Sequence, residues 1–196
     1  MPNWCNTAYT VTGDTQEVKA LYELMKGLEE QEKPAVDNGF GTTWLGCLVN
    51  ALGEDWNNIR CRGHWEGLEF DGEVLTFWTE TAWSVCNEVF ELARQKFPSL
   101  SYYYRAEEPG MCDYYTNDAD GIYYPERYVV DACSDKCDWY TEYFTTLQDA
   151  YAWLEQVSGV PVHSEDDVRA LEKQWRENDP DGYAYISIHE LKVYRD

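Results

Sequence analysis

Asp118, Asp120 and Gly121, and again Asp179, Asp181 and Gly182, set oxygen donors at alternate positions ahead of a glycine, as the middle of a calcium loop does. Such a loop also needs a first ligand and a bidentate glutamate at its twelfth position. Counting from each glycine, Thr116 and Arg127 take those places in one stretch, and Glu177 and Ile188 in the other. Neither loop closes, and both stretches read as turns. Cys133 and Cys137 would need two further thiolate or imidazole ligands to hold zinc, and only tertiary placement could bring Cys112 or His163 to them. They read as incidental loop thiols. Histidines occur at 64, 163 and 189, and no serine or cysteine has a recognisable nucleophile context, so no hydrolytic triad is legible. No metal and no cofactor is expected.

Glu107 and Glu108, with Asp113 nearby, could exchange protons if burial drove their pKa values apart. Adjacent residues of an extended chain point to opposite faces, however, so the pair is expected to be a solvated strand end. Trp78 and Trp83 offer π-faces on which a base or sugar could stack. No Lys or Arg stands close by to hold a phosphate, which favours packing on a sheet. Tyr102, Tyr103 and Tyr104 alternate in and out of a strand, so at least one of them faces solvent or the second portion of the chain. The candidate interaction surface is Trp78, Trp83, Tyr103, Glu108, Tyr114 and Tyr115.

The elements that would position these residues centre on Leu75 to Pro98. Leu75, Phe77 and Thr79 alternate with Thr76, Trp78 and Glu80 as a strand with one buried face. A helix follows, expected to open at Ser84 and to carry Cys86, Val89, Phe90, Ala93 and Phe97 inward until Pro98 stops it. Upstream, Thr7 to Thr12 reads as a strand. Asp14 and Glu17 form a capping-box-like pair for a helix with Val18, Leu21, Tyr22, Met25 and Leu28 on one face. Trp44 to Leu52 is a short apolar helix or strand, Ile59 to Trp65 a strand, Glu66-Gly67 and Asp71-Gly72 turns, and Leu100 to Ala106 a further strand. The order strand, helix, strand, strand, helix, strand is that of an α+β, ferredoxin-like (split βαβ) antiparallel sheet with helices on one face.

The rest forms a C-terminal α+β extension. Tyr123 to Asp131 and Trp139 to Phe144 read as a strand hairpin. Thr146 with Asp149, and Ser164 with Asp167, cap two helices, and Tyr183 to His189 is a last strand. We divide the chain into a ferredoxin-like domain at 1–110 and an extension at 111–196, expected to pack on the first because no Pro/Gly/Ser linker parts them.

Acidic residues outnumber basic ones by 37 to 15, a formal charge of −22, shared between residues 1–98 (16 acidic, 7 basic) and 99–196 (21 acidic, 8 basic). Phosphate-backbone binding relies on Lys and Arg displacing counterions, so direct nucleic-acid binding is not expected. Aromatics make up 16% of residues, which separates the chain from acidic disordered tails. No targeting segment and no stretch of roughly 20 apolar residues is present, so a cytoplasmic location without membrane contact is expected. The seven cysteines are an odd number in a chain without a secretion signal, and are expected to be reduced.

Four short segments carry a resemblance: Met1-Pro2-Asn3-Trp4-Cys5-Asn6, Thr81-Ala82-Trp83-Ser84, Phe97-Pro98 and Glu108-Pro109-Gly110-Met111. Together and in this order they resemble the YubB ferredoxin-like family, a group of unknown function borne on plasmids and phages. The likeness covers roughly residues 1 to 125. Val85 and Cys86 stand where that family has two prolines, and Cys112 and Asp113-Tyr114 where an aromatic and a glycine are usual. The resemblance implies the fold and a mobile-element setting, and no activity.

With no catalytic constellation in view, the expected function is a non-enzymatic protein-interaction module. Its acidic, aromatic-rich surface would meet a protein partner, a basic one being the kind that this field steers. A sharper form is a DNA mimic that inhibits a nucleic-acid-binding protein. A third reading is a small-ligand binder or enzyme with its site between the two parts.

Overall fold

The computed structural model describes residues 2–134, 137–178 and 183–194. Two compact units divide them, one of Met1–Ala119 with Tyr194–Asp196 and one of Asp120–Val193. The first unit runs nine residues past the boundary expected at 110, because a short strand after that point still belongs to its sheet.

In the first unit, β1 (Trp4–Thr12) leads to α1 (Thr15–Glu29) and α2 (Leu45–Leu52). Then come β2 (Gly63–Phe70), β3 (Leu75–Ala82), α3 (Asn87–Lys96), β4 (Ser101–Glu108) and β5 (Asp113–Thr116). The strands lie in the order β2-β3-β1-β4-β5, and each neighbouring pair is antiparallel. Alternation sorts the faces. Tyr9 and Val11 of β1, Leu75 and Phe77 of β3, and Tyr102 and Tyr104 of β4 point into one core with Val18, Leu21 and Met25 of α1, Leu45, Leu48 and Val49 of α2, and Val89, Phe90 and Ala93 of α3. All three helices therefore cover one face, and each fully buried large apolar side chain there contributes about 1.5–3 kcal/mol. Tyr9 ties the layers together. Its ring lies 5.2 Å from Phe77 and 4.4 Å from Phe90, and its hydroxyl donates to Asn87 Oδ1 at 3.1 Å.

Several local expectations change. Asp14 does cap α1 by accepting from Gln16 N, but Glu17 does not reach back to it. The Glu17 carboxylate instead takes the N–H and hydroxyl of Ser99, at 2.9 and 2.7 Å, and so ties α1 to the start of β4. The ambiguous stretch after Trp44 is a helix, ended by Gly53 at φ 99°. Glu66-Gly67 is a bulge inside β2 and not a turn, with Gly67 at φ 63°. The helix expected to open at Ser84 starts at Asn87, with Cys86 as its N-cap and no side-chain cap bond.

In the second unit, β6 (Tyr128–Ser134) and β7 (Cys137–Phe144) form the expected hairpin. They are followed by α4 (Leu147–Ser158), α5 (Glu165–Asn178) and β8 (Tyr185–Glu190), with strand order β7-β6-β8. Val130, Ala132 and Ile186 meet Ala150, Tyr151, Leu154, Val168 and Leu171 in its core. Thr146 caps α4 by accepting from Asp149 N, and Ser164 Oγ accepts from Asp167 N as α5 begins. Asp179, Asp181 and Gly182 lie outside the described residues, as does the middle of the Cys133–Cys137 loop. No helix among the described residues is long and apolar enough to cross a membrane.

Candidate interaction site

Three stretches far apart in sequence meet at one end of the first sheet. The register sets Trp4 opposite Ala82, Cys5 opposite Thr81, and Asn6 opposite both Glu80 and Glu107. Trp83 follows β3 in a left-handed backbone conformation, φ 74°, and its N–H donates to the Asn3 carbonyl at 2.9 Å. The Thr81 hydroxyl donates to Ser84 O at 2.9 Å, and Val85 N donates to the Tyr115 hydroxyl at 3.2 Å. On the third stretch Glu108 is 1% exposed, and its two carboxylate oxygens accept from Gly110 N and Met111 N, each at 2.9 Å. A Cβ on Gly110 would come 2.6 Å from Asn3 Nδ2, so the bare glycine lets the Asn3 side chain lie directly against the Pro109–Met111 turn.

This corner is built to hold shape. Burial pushes the Cys86 thiol up to about 12, against a smaller pull from Arg60, and burial also raises the Cys5 thiol. A nucleophilic cysteine needs the thiolate, so neither is poised to attack at neutral pH. Burial likewise raises the Tyr115 phenol well above its ordinary value. Among the described residues no group of three or more His, Cys, Asp or Glu is placed to hold a metal ion.

The sheet face turned away from α1, α2 and α3 is different in kind. Trp78 stands on it 49% exposed, directly across from Glu66 on β2 and from Ala8 on β1. Two residues along β3, Glu80 pairs with His64 and Asn6. Side chains directly opposite on antiparallel strands share a face, so Glu66 and Glu80 flank the indole. The bulge fixes the ring: a Cβ on Gly67 would lie 3.1 Å from Trp78 Cδ1, so the bare glycine backbone accepts the indole edge. Across Ala8 stands Arg105, whose Nε lies 3.3 Å from Glu107 Oε1. The β2–β3 hairpin ends in more acid. Asp71 accepts from Glu73 N and Val74 N at 2.9 and 2.8 Å, which holds its carboxyl below the usual range.

Compared with known protein families, curated proteins and solved structures, the chain matches none.

Of the six surface residues expected from sequence, Trp78 and Trp83 are 49% and 48% exposed and Tyr103 is half-buried. Glu108, Tyr114 and Tyr115 are buried, which removes them from the surface. Glu108 turns inward to satisfy the N–H groups of the turn after β4. Tyr114 and Tyr115 belong to β5, where Tyr115 pairs with Ala106 and its ring meets those of Tyr104 and Tyr194 edge-on. Glu66, Gly67 and Glu80 were not singled out by sequence. Their role depends on the β2–β3 register, and no local pattern encodes which residue of one strand faces which of the next. In the second unit, Tyr128, Leu147, Tyr151 and Arg169 line a cavity of about 460 Å³. Burial raises the Tyr151 phenol there above its ordinary value.

Proposed function

We propose that the chain is a non-enzymatic protein-interaction module that docks through the first unit, with Trp78 and Trp83 as its aromatic anchors. The observation that carries this is the pairing of exposure with fixation. Both indoles are about half open to solvent; one lies against the bare Gly67 backbone at the bulge, and the backbone N–H of the residue carrying the other is bonded to the Asn3 carbonyl. Interfaces draw their strongest contributions from such rigid aromatic anchors, which lose little freedom on binding.

The strand order β2-β3-β1-β4, with a helix after β1 and another after β3, supports a ferredoxin-like reading of this unit. The resemblance to the YubB ferredoxin-like family gains support from geometry as well. Its segments at Asn3, at Trp83 and at Glu108-Pro109-Gly110 are scattered in sequence, yet they close on one another at one end of the sheet. A plasmid or phage setting, and a cytoplasmic one, belong to the same proposal.

The test is affinity capture of the tagged chain from its host at low and at high salt, beside the Trp78→Ala/Trp83→Ala variant, with mass spectrometry of what is retained. A protein held by the wild type at low salt and lost from the variant is the expected result. Equal retention by both chains, or none by either, overturns the docking role. Competition by DNA for the retained protein would favour the DNA-mimic reading instead.

A further inference from the structure

Most acidic side chains on helices of this protein have cations beside them. Lys19 meets Glu23 and Lys26 meets Glu29 on α1, Arg94 meets Glu91 on α3, and on α5 Arg169, Lys173 and Arg176 each meet a carboxylate within one turn. The β2–β3 hairpin is organised otherwise. From Gly63 to Ala93 the chain has seven Asp and Glu and no Lys or Arg. Four of those acids, Glu66, Glu69, Asp71 and Glu73, lie in or between the two strands ahead of Trp78, and Glu80 follows it. Arg62, just before β2, falls opposite Ala82 on this same face, and Arg105, two strands away from Trp78, is paired with Glu107.

We infer that Trp78, Glu66 and Glu80 form a seat for an arginine or lysine side chain presented by a protein partner. The inference rests on the docking role proposed above and names its chemistry. A guanidinium or ammonium laid on the open face of an indole is attracted by the ring quadrupole. Carboxylates on either side add charge-assisted hydrogen bonds, and arginine can make them while its plane stays on the ring. The indole edge already lies against the bare Gly67 backbone. No Lys or Arg lies within the hairpin strands themselves, which leaves the seat to a cation from outside them, and the net charge of −22 draws a cationic partner in.

The test is a titration of the ¹⁵N-labelled full chain with a blocked hexa-arginine peptide, followed through the nine tryptophan indole N–H signals. The Trp78 signal should shift with saturation, while that of Trp83 moves little. Glu66→Gln with Glu80→Gln should weaken the peptide at least tenfold, and Trp78→Ala should remove the localised effect while the spectrum stays dispersed. A Trp78 signal that stays in place, or an affinity indifferent to Trp78→Ala, overturns the seat. The docking role fails separately, if the capture experiment finds nothing that depends on the two indoles.

Discussion

The Trp83 N–H donates to the carbonyl of Asn3 at 2.9 Å while Trp83 sits at φ 74°, a backbone region that costs a residue with a Cβ roughly 1–2 kcal/mol. The contact links the first residues of the chain to the end of β3 and turns an indole outward. Glycine occupies this region without that penalty. Trp83→Gly should therefore be more stable than Trp83→Ala by about 1 kcal/mol, although glycine normally gives a looser unfolded chain. Urea midpoints of the two variants decide it. Equal midpoints, or alanine ahead, would mean that the left-handed conformation is not retained.

Glu108 satisfies two backbone donors in a buried place. Glu108→Ala leaves Gly110 N and Met111 N without acceptors and should cost about 2–3 kcal/mol, whereas Glu108→Gln keeps one acceptor and should cost about half of that. Chemical denaturation of both variants gives the ratio. A cost below about 0.5 kcal/mol for alanine would show that water replaces the carboxylate there.

Stability should fall on the alkaline side. Burial holds the Cys86 thiol at about 12 and the Cys61 thiol at about 11 against an ordinary 9.0, so above pH 9 the unfolded chain loses these protons first. The folded state then binds more protons than the unfolded one, and the stabilisation complete below pH 9 drains away as pH rises toward 11–12. Each thiol contributes a slope of at most about 1.4 kcal/mol per pH unit. Urea midpoints between pH 8 and 11 should decline, and less steeply in Cys86→Ala. A level profile would mean that the thiols are not buried as described.

Much of the first unit was legible because its strands alternate cleanly. Leu75 and Phe77, or Tyr102 and Tyr104, cannot share a face with Thr76 and Trp78 or with Tyr103, and the helical spacing of Val18, Leu21 and Met25 supplied the matching layer. What stayed hidden was set by contacts distant in sequence. Glu66-Gly67 has turn chemistry, and a bulge uses the same residues, so only pairing with Trp78 and Thr76 distinguishes them. β5 has four residues with two adjacent tyrosines and no alternation, so its strand character comes from β4. The late start of α3 follows from tertiary contacts, because the Ser84 carbonyl that would accept the first helical bond instead takes the Thr81 hydroxyl, and Val85 N donates to the Tyr115 hydroxyl.

Gly63 shows how closely β2 approaches β3. A Cβ there would collide with the Glu80 carbonyl and lie 2.6 Å from Thr81 Cγ2. Gly63→Ala should cost several kcal/mol, at the upper end of point substitutions, because backbone atoms cannot yield as a flexible side chain would. Gly27→Ala, in α1 with open space around the added methyl, should instead stabilise by up to about 1 kcal/mol. Thermal unfolding of the pair separates the two effects, and a mild Gly63→Ala would contradict the register of β2 on β3.

Thr79 and Thr81 lie two residues apart on β3, both on the helix-covered face, and the same change should act on them with opposite sign. The Thr79 hydroxyl is buried with no hydrogen-bond partner, as is the indole N–H of Trp65 on the directly paired position of β2. Burying an unpaired hydroxyl costs about 1–3 kcal/mol, so Thr79→Val, which keeps the branched shape that suits a strand, should stabilise by about 1 kcal/mol. The Thr81 hydroxyl donates to Ser84 O at 2.9 Å and lies 3.4 Å from Cys5 O, holding the chain where it turns out of β3. Thr81→Val leaves those carbonyls short of a donor and should destabilise by about 1–2 kcal/mol. Urea midpoints of the two variants should bracket the wild type. Destabilisation by both would mean that Thr79 and Trp65 share a bound water, because a bridged hydroxyl is lost at the same cost as a bonded one.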